Sequence, residues 1–303
     1  MGPTATGKTA IGAQLAKLLN GEVISADSQL VYRQFDIGTA KPSKAEKLGV
    51  AHHMIDVAEP TEQYAAGRYA KEARPILERL IQDEKPIVIV GGTGFYIRSL
   101  LQPAHIPNVP PNPSYRRELA DQAKDKSPEW LHQQLQKKDP HRASQIELND
   151  TNRIIRALEI IEAIGGPIPE TPRGFAYPVV NIGLHYEDRQ QHVQIINSRL
   201  NEMLKQGFYE EAVELFQQYG DCPALNTAHG YRHLIQVHQG ELSLDEAREA
   251  VGIMIRQYSK RQMTWLRSIE NIHWYDVASQ SKTDIVKDVL ALTKSESSSA
   301  CPK

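Results

Sequence analysis

The run Gly2-Pro3-Thr4-Ala5-Thr6-Gly7-Lys8-Thr9 limits what this chain can become more than any other segment, because it fits G-x-x-x-x-G-K-[ST] and opens a helical pattern. Its glycines let backbone N–H groups point inward at phosphate oxygens, and the helix that follows adds a favourable dipole. Lys8 supplies a point charge for terminal phosphates, and the Thr9 hydroxyl is placed to ligate Mg²⁺. Residues Gly2, Pro3, Thr4, Ala5, Thr6, Gly7, Lys8 and Thr9 are read together as a cradle for a di- or triphosphate, of the type that nucleotide-binding and ATP-binding proteins use. A glycine turn before a helix is the bland alternative. Such a loop hangs from the end of a buried parallel strand, yet only Met1 precedes Gly2. The expectation is that the native chain starts some residues earlier, with Met1 an internal methionine at that strand's end.

The first third alternates as α/β chains do. Ile11, Leu15, Leu18 and Leu19 mark a helix over Gly7–Leu19, which Asn20-Gly21 ends. Glu22–Ala26 reads as a strand and Tyr64–Gln82 as a helix that Pro75 kinks. The β-branched run Pro86–Val90 reads as a parallel strand buried on both faces, and Gly91-Gly92-Thr93 turns it into a helix over Gly94–Leu101. Two loose stretches, Gln102–Pro113 and Pro167–Pro178, bracket a highly charged helical block, Ser114–Ala163. A strand at Val179–Leu184 follows, then helices over Asp188–Gln206, Tyr209–Tyr219, Tyr231–His238 and Leu244–Ser268, and a strand at His273–Tyr275. The fold class expected is α/β: a P-loop NTPase-like parallel sheet flanked by helices, with an inserted all-helical subdomain. Residues 1–107 and 177–294 would form the catalytic core, 108–176 the helical insertion, and 295–303 a disordered tail.

Composition removes several classes. The 40% hydrophobic and 24% charged residues are those of an ordinary soluble protein, which excludes disordered and fibrous chains. Apolar runs such as Pro86–Val90 are too short to cross a bilayer, and no charged start precedes an apolar run. No membrane contact is expected, and a cytoplasmic location is. Cys222 and Cys301 leave one bridge possible, but two scattered thiols suit a reducing cytosol better and exclude a Cys-rich zinc module. A formal net charge of −2 gives no global sign of nucleic acid, so such a partner must meet a local basic surface.

Asp27 to Tyr32 (DSQLVY) lies just past the Glu22–Ala26 strand, at the sheet edge where open α/β folds bind ligands. A carboxylate there serves as a general base, as an outer-sphere partner of magnesium, or merely as a cap for the next segment. The glycine loop by itself leaves a hydrolytic switch, a small-molecule kinase and a transferase open.

In chain order, GPTATGKT (Gly2–Thr9), DSQLVY (Asp27–Tyr32), DIGTAKP (Asp36–Pro42), HHMID (His52–Asp56), GGTGFY (Gly91–Tyr96), NDTNRIIRALEII (Asn149–Ile161) and KRQMTWLR (Lys260–Arg267) resemble the motifs of the tRNA dimethylallyltransferases, over nearly the whole chain. The resemblance implies transfer of a dimethylallyl group from dimethylallyl diphosphate to N6 of the adenosine 3′-adjacent to the anticodon. It further implies Mg²⁺ as cofactor, the tRNA anticodon stem-loop and dimethylallyl diphosphate as partners, and a monomer. By resemblance Asp27 takes the proton from N6, Arg199 helps hold the diphosphate, and Thr4 touches substrate. Lys8, the loop amides and the Mg²⁺ on Thr9 would then stabilise the leaving group. On spacing alone Arg199 reads more often as a solvated helix residue.

For the tRNA the resemblance implies contacts from Asp27, Ser28, Gln29 and Leu30, from Thr93 and Arg116, and from Asn152, Arg153, Ile154, Ile155 and Arg156. Thr227, Ala228, His229, Gly230, Tyr231 and Arg232 form a further contact segment by the same resemblance. Arg153 and Arg156 share a helix face at i, i+3. Ile255–Arg267 carries Arg256, Lys260, Arg261 and Arg267 among Tyr258 and Trp265 with no acid, which suits RNA backbone and stacking. A core face of Ile255, Tyr258, Met263 and Trp265 is the alternative for that helix. Gln194 stands where an arginine is common, Thr227 and His229 also depart from frequent choices, and the zinc-finger extension of eukaryotic relatives is absent, so a bacterial-type member is expected. The rivals are a nucleoside or nucleotide kinase using the insert as a lid, an isopentenyl transferase acting on free AMP or ATP, and a non-catalytic RNA-binding module.

Overall fold

Short β-branched runs and amphipathic helices do alternate through the first hundred residues. The computed structural model describes residues 1–102, 109–124, 126–127, 129–170 and 174–299. In chain order the elements begin with α1 (Lys8–Leu18), β1 (Glu22–Ala26), β2 (His52–His53), α2 (Ala66–Gln82), β3 (Ile87–Gly91) and α3 (Gly94–Leu101). Four helices follow: α4 (Pro113–Lys124), α5 (Glu129–Lys138), α6 (Pro140–Ala143) and α7 (Thr151–Ile164). Then come β4 (Asn181–His185), α8 (Arg189–Lys205), α9 (Phe208–Tyr219), α10 (Pro223–Thr227), α11 (Tyr231–His238), α12 (Leu244–Leu266), β5 (Ile272–Asp276) and α13 (Lys282–Ser299).

The result is a mixed α/β fold with small parallel sheets. β1 is central, with β2 on one side and β3 on the other, and its register runs Glu22 opposite Ile87 to Ala26 opposite Gly91. Val23, Ile24, Ser25 and Ala26 are buried in consequence. β4 and β5 form a second parallel pair, Asn181 opposite Ile272 to His185 opposite Asp276. Met1 lies alongside β4, its nitrogen donating to the Ile182 carbonyl at 2.7 Å and its carbonyl accepting from Leu184 N at 2.8 Å. Ile11 and Leu15 of α1 share an apolar cluster with Leu184, Tyr275 and Ile285, Val286 and Val289 of α13.

The chain divides into two compact units, Met1–Leu101 with Tyr177–Lys303, and Gln102–Ala176. The second unit contains helices alone among its described elements. α4, α5 and α7 close over Leu119, Leu131, Leu135, Ile154, Leu158 and Ile161. Asp150 caps α7 by accepting from Arg153 N at 3.2 Å, and Gly165 in the left-handed conformation ends it.

Several expectations need correction. Ile87–Val90 are half-buried rather than buried on both faces, because β3 stands at the edge of its sheet. The two-residue β2 and the helices α10 and α13 carry no strong local pattern, and α13 reaches Ser299 where a tail was expected from residue 295. Cys222 is buried with a free thiol, and Cys301 lies outside the described residues. Among the described residues no helix is long and apolar enough to cross a membrane.

Candidate active site

The glycine loop enters the left-handed region twice, at Ala5 (φ 65°) and at Gly7 (φ 76°), the residue that precedes α1. Glycine adopts this freely, whereas for Ala5 it is a strained conformation that surrounding bonds must hold. Thr6 Oγ1 and Lys8 Nζ both donate to the Pro3 carbonyl, at 2.9 and 2.6 Å. His192 Nε2 donates to the Thr4 carbonyl at 2.9 Å, and Gln262 Oε1 accepts from Thr4 N at 2.9 Å. Gln262 comes from α12 and is only 5% exposed, and its Nε2 donates to the Gly92 carbonyl at 3.0 Å. One buried amide therefore ties the loop to the end of β3.

Asp27 follows β1 directly. Its Oδ1 accepts from Gln29 N at 2.9 Å, so the capping reading of this residue holds, while the carboxylate also lines the cleft described below. Ser28 N donates to Thr93 Oγ1 at 3.0 Å, joining the turn after β1 to the turn after β3. The Gln29 amide grips the third predicted segment: Oε1 accepts from His229 N at 3.1 Å and Nε2 donates to the Thr227 carbonyl at 3.4 Å. Three segments far apart in sequence thus meet around one carboxylate.

They surround a cleft of about 650 Å³, open to solvent, lined by Thr4, Ala5, Lys8, Asp27, Arg199, His229, Tyr258 and Gln262 among others. Burial pushes the Lys8 amine down to about 8, with Asp27 opposing the shift and Arg199 adding to it. Burial also lowers Arg199, against the pull of Asp27 and Glu46. Two cations and one carboxylate lining one cleft make a receptor for an anion with a proton acceptor beside it. The His229 ring is tilted against Tyr258, centroids 4.3 Å apart, and burial lowers its pKa. The far side of the cleft is set by Glu211 of α9. Its carboxylate accepts from the backbone N–H groups of Asp36, Ile37 and Gly38 at 3.0, 2.7 and 2.9 Å and from Tyr231 Oη at 2.7 Å.

Lys8 and Asp27 also line a second, smaller recess together with Thr9, Ser25 and His52. Ser25 Oγ is buried there without a hydrogen-bond partner. Hydroxyl oxygens and one carboxylate beside the phosphate loop suit Mg²⁺, which takes few protein ligands and fills its octahedron with phosphate and water oxygens. Among the described residues no group of three His, Cys, Asp or Glu could hold an ion by itself.

In the helical unit the structure redistributes the predicted contacts. Arg116 donates to Glu159 twice, at 2.8 Å each, Arg156 bonds the same carboxylate, and Asn112 N adds a third donor. Burial alone would raise Glu159, whose side chain is 1% exposed, but these donors outweigh it and bring the carboxyl down to about 2. Ile154 and Ile155 are core residues of this unit, so their side chains are not available to a partner. Asn152 and Arg153 stay exposed. Tyr231 is likewise fully buried against Phe35 and Phe208, Leu30 and Ala228 are buried, and Arg232 pairs with Asp221 at 3.0 Å. On α12 the buried residues are Ala247, Val251, Gly252, Ser259, Gln262 and Leu266, not the alternative core face of Ile255, Tyr258, Met263 and Trp265; Ile255 and Tyr258 line the cleft, and Lys260, Arg261 and Arg267 are exposed. Gln262, His192 and Glu211 escaped the sequence reading, because a polar residue on a helix gives no sign of the distant backbone it will bond.

A parallel α/β fold whose glycine loop, Asp27 and Arg199 line one cationic cleft defines an enzyme of the group-transfer class that handles phosphate esters. Residues 30–269 match the family described as IPP transferase, and the chain belongs to that family. It is 39% identical over 295 residues to a tRNA dimethylallyltransferase of Carboxydothermus hydrogenoformans, covering 96% of this chain and 94% of the relative. A tRNA dimethylallyltransferase of Synechocystis is 38% identical over 300 residues, with 97% and 95% covered. Among solved structures, the full-length tRNA isopentenylpyrophosphate transferase of Bacillus halodurans is 34% identical with a TM-score of 0.71, covering 98% of this chain and 96% of that one.

Proposed function

We propose that this chain transfers a dimethylallyl group from dimethylallyl diphosphate to N6 of the adenosine 3′-adjacent to the anticodon in tRNA, releasing diphosphate. The relatives' shared activity supports this reading. The single observation that carries it is the placement of Asp27 in the same cleft as Lys8 and Arg199. The glycine loop is read as a phosphate-binding loop of the P-loop kind, serving a prenyl diphosphate, and the enzyme as a cytoplasmic monomer.

The exocyclic amine of adenine is a poor nucleophile, because its lone pair is delocalised into the ring. The bond from the allylic carbon to the diphosphate oxygen therefore breaks ahead of bond formation, both electrons leaving with oxygen. Lys8, Arg199 and the loop amides meet the growing negative charge. The N6 lone pair then forms the C–N bond, and the Asp27 carboxylate accepts the proton that N6 loses. Mg²⁺ on the Thr9 side would supply further charge neutralisation of the diphosphate. Extruding the target base into the cleft costs a few kcal/mol of unstacking, which contacts to the anticodon loop must offset.

A kinase would want free arginines in a lid over the phosphates. Arg116 and Arg156 of the insert are instead committed to the buried Glu159. The test is incubation of unmodified tRNA with dimethylallyl diphosphate and Mg²⁺, followed by nucleoside mass spectrometry, with labelled ATP and nucleosides in a parallel arm. A prenyl mass gain on the adenosine beside the anticodon is expected. Phosphoryl transfer to a nucleoside, or prenylation of free AMP in preference to tRNA, would overturn the reading.

A further inference from the structure

Helix α3 buries Tyr96, Ile97, Leu100 and Leu101 and turns Phe95 and Arg98, three residues apart, to solvent. Phe95 is 71% exposed, more than any other large hydrophobic among the described residues. A lone exposed apolar side chain is ordinary, so its surroundings decide what this one does. The backbone that presents it is pinned: a Cβ at Gly94 would come within 2.2 Å of the Trp265 indole, so that ring lies flat on the chain just before Phe95. Thr93, two residues earlier, bonds Ser28 beside Asp27. Phe95 thus stands next to the cleft rim on a fixed support.

On α3 and on the stretch of α12 that carries Trp265, the exposed charge has one sign. Neither α3 nor residues 251–267 contain an acid, while Arg98, Lys260, Arg261 and Arg267 are exposed on them. Arg261 is one turn before Trp265 on α12, and its guanidinium lies 5.8 Å over the Tyr258 ring that lines the cleft. An open π-face with exposed cations on its own helix and on α12 matches an unpaired nucleotide: the base stacks and the backbone is neutralised. A protein partner would gain from the ring but not from the unbalanced cations.

We propose that Phe95 is a stacking platform for an unpaired base of the RNA that delivers the adenosine to the cleft. This rests on the tRNA reading above and adds a specificity residue that its chemistry does not require. The experiment measures tRNA dissociation constants for the wild type and for Phe95→Ala, Phe95→Leu and Phe95→Trp, together with dimethylallyl diphosphate binding, melting temperature and sedimentation. Phe95→Ala and Phe95→Leu should weaken tRNA binding about ten-fold or more, with donor affinity and melting temperature unchanged. Phe95→Trp should restore binding, and its emission should be quenched by tRNA beyond the wild-type background.

An alanine variant that binds tRNA within two-fold of the wild type overturns the proposal. So does rescue by leucine, which marks plain apolar docking, or loss of a concentration-dependent self-association in Phe95→Ala, which marks a second copy as the occupant. A wild type that binds tRNA yet leaves its adenosine unmodified defeats the functional reading instead, and the binding constants still judge Phe95.

Discussion

The cleft and the helical unit both bury charge, and they do it in opposite ways. In the helical unit Glu159 receives Arg116, Arg156 and the Asn112 amide, and its carboxyl sits at about 2 because the charged form is the favoured one. In the cleft the Lys8 amine is pushed down to about 8, because burial strips its hydration, Arg199 adds to the shift and Asp27 only partly opposes it. A satisfied buried ion holds helices in place, whereas an unsatisfied one waits for a counter-ion. The difference separates architecture from function without reference to sequence motifs. It also says where a substitution should damage folding and where it should damage turnover.

The sharpest break in that contrast should come from Asp27→Ala. Turnover is expected to fall about 10²- to 10⁴-fold while binding of dimethylallyl diphosphate survives, read by single-turnover kinetics and calorimetry; near-normal turnover would remove Asp27 from the role of base. Arg199→Ala should reduce turnover about 10²-fold with an unchanged melting curve. Glu159→Ala should do the reverse. It leaves two arginines without their buried partner, destabilising the helical unit by about 3–5 kcal/mol, which hydrogen exchange over residues 113–164 would register.

The same carboxylate predicts an acid dependence. Glu159 titrates lower folded than unfolded, so its contribution is fully present above about pH 4.5 and is lost as pH falls toward 2, on the order of 3 kcal/mol in all. Hydrogen exchange across that window should show the helical unit loosening in the wild type and a flatter response in Glu159→Ala. The smallest expected effect is that of Glu211→Gln. Losing charge on a group that bonds three backbone amides and Tyr231 should cost about 1–2 kcal/mol and raise the KM for the prenyl donor more than it lowers kcat, through looser packing of residues 36–38.

Local signals made much of the fold legible. β1, α3 and α11 fall where the pattern of β-branched runs, glycine turns and helical spacing puts them, because each is decided within its own few residues. The meeting of the glycine loop, Asp27 and the Thr227–His229 segment was approachable through motifs whose spacing carries a geometry. Side-chain direction was not. Ile154, Ile155 and Tyr231 sit inside segments that read as contacts, yet packing turns them inward, since a helix face is chosen by its partner and not by its motif. β2 and α13 were hidden for the related reason that two residues, or a weakly amphipathic helix, gain their order from the neighbours they meet.

The bridge from Thr4 to Gln262 spans 258 positions, and the bond from Met1 to Ile182 spans 181. Residues made early therefore wait for residues made 181 and 258 positions later. On the ribosome the helical unit, continuous between Gln102 and Ala176, has all its partners once it emerges, while the glycine loop remains unsupported until α12 has been synthesised. A nascent chain stopped short of residue 262 would carry a finished helical unit and an unbuilt catalytic centre, so prenyl transfer can begin only once Gln262 has been made.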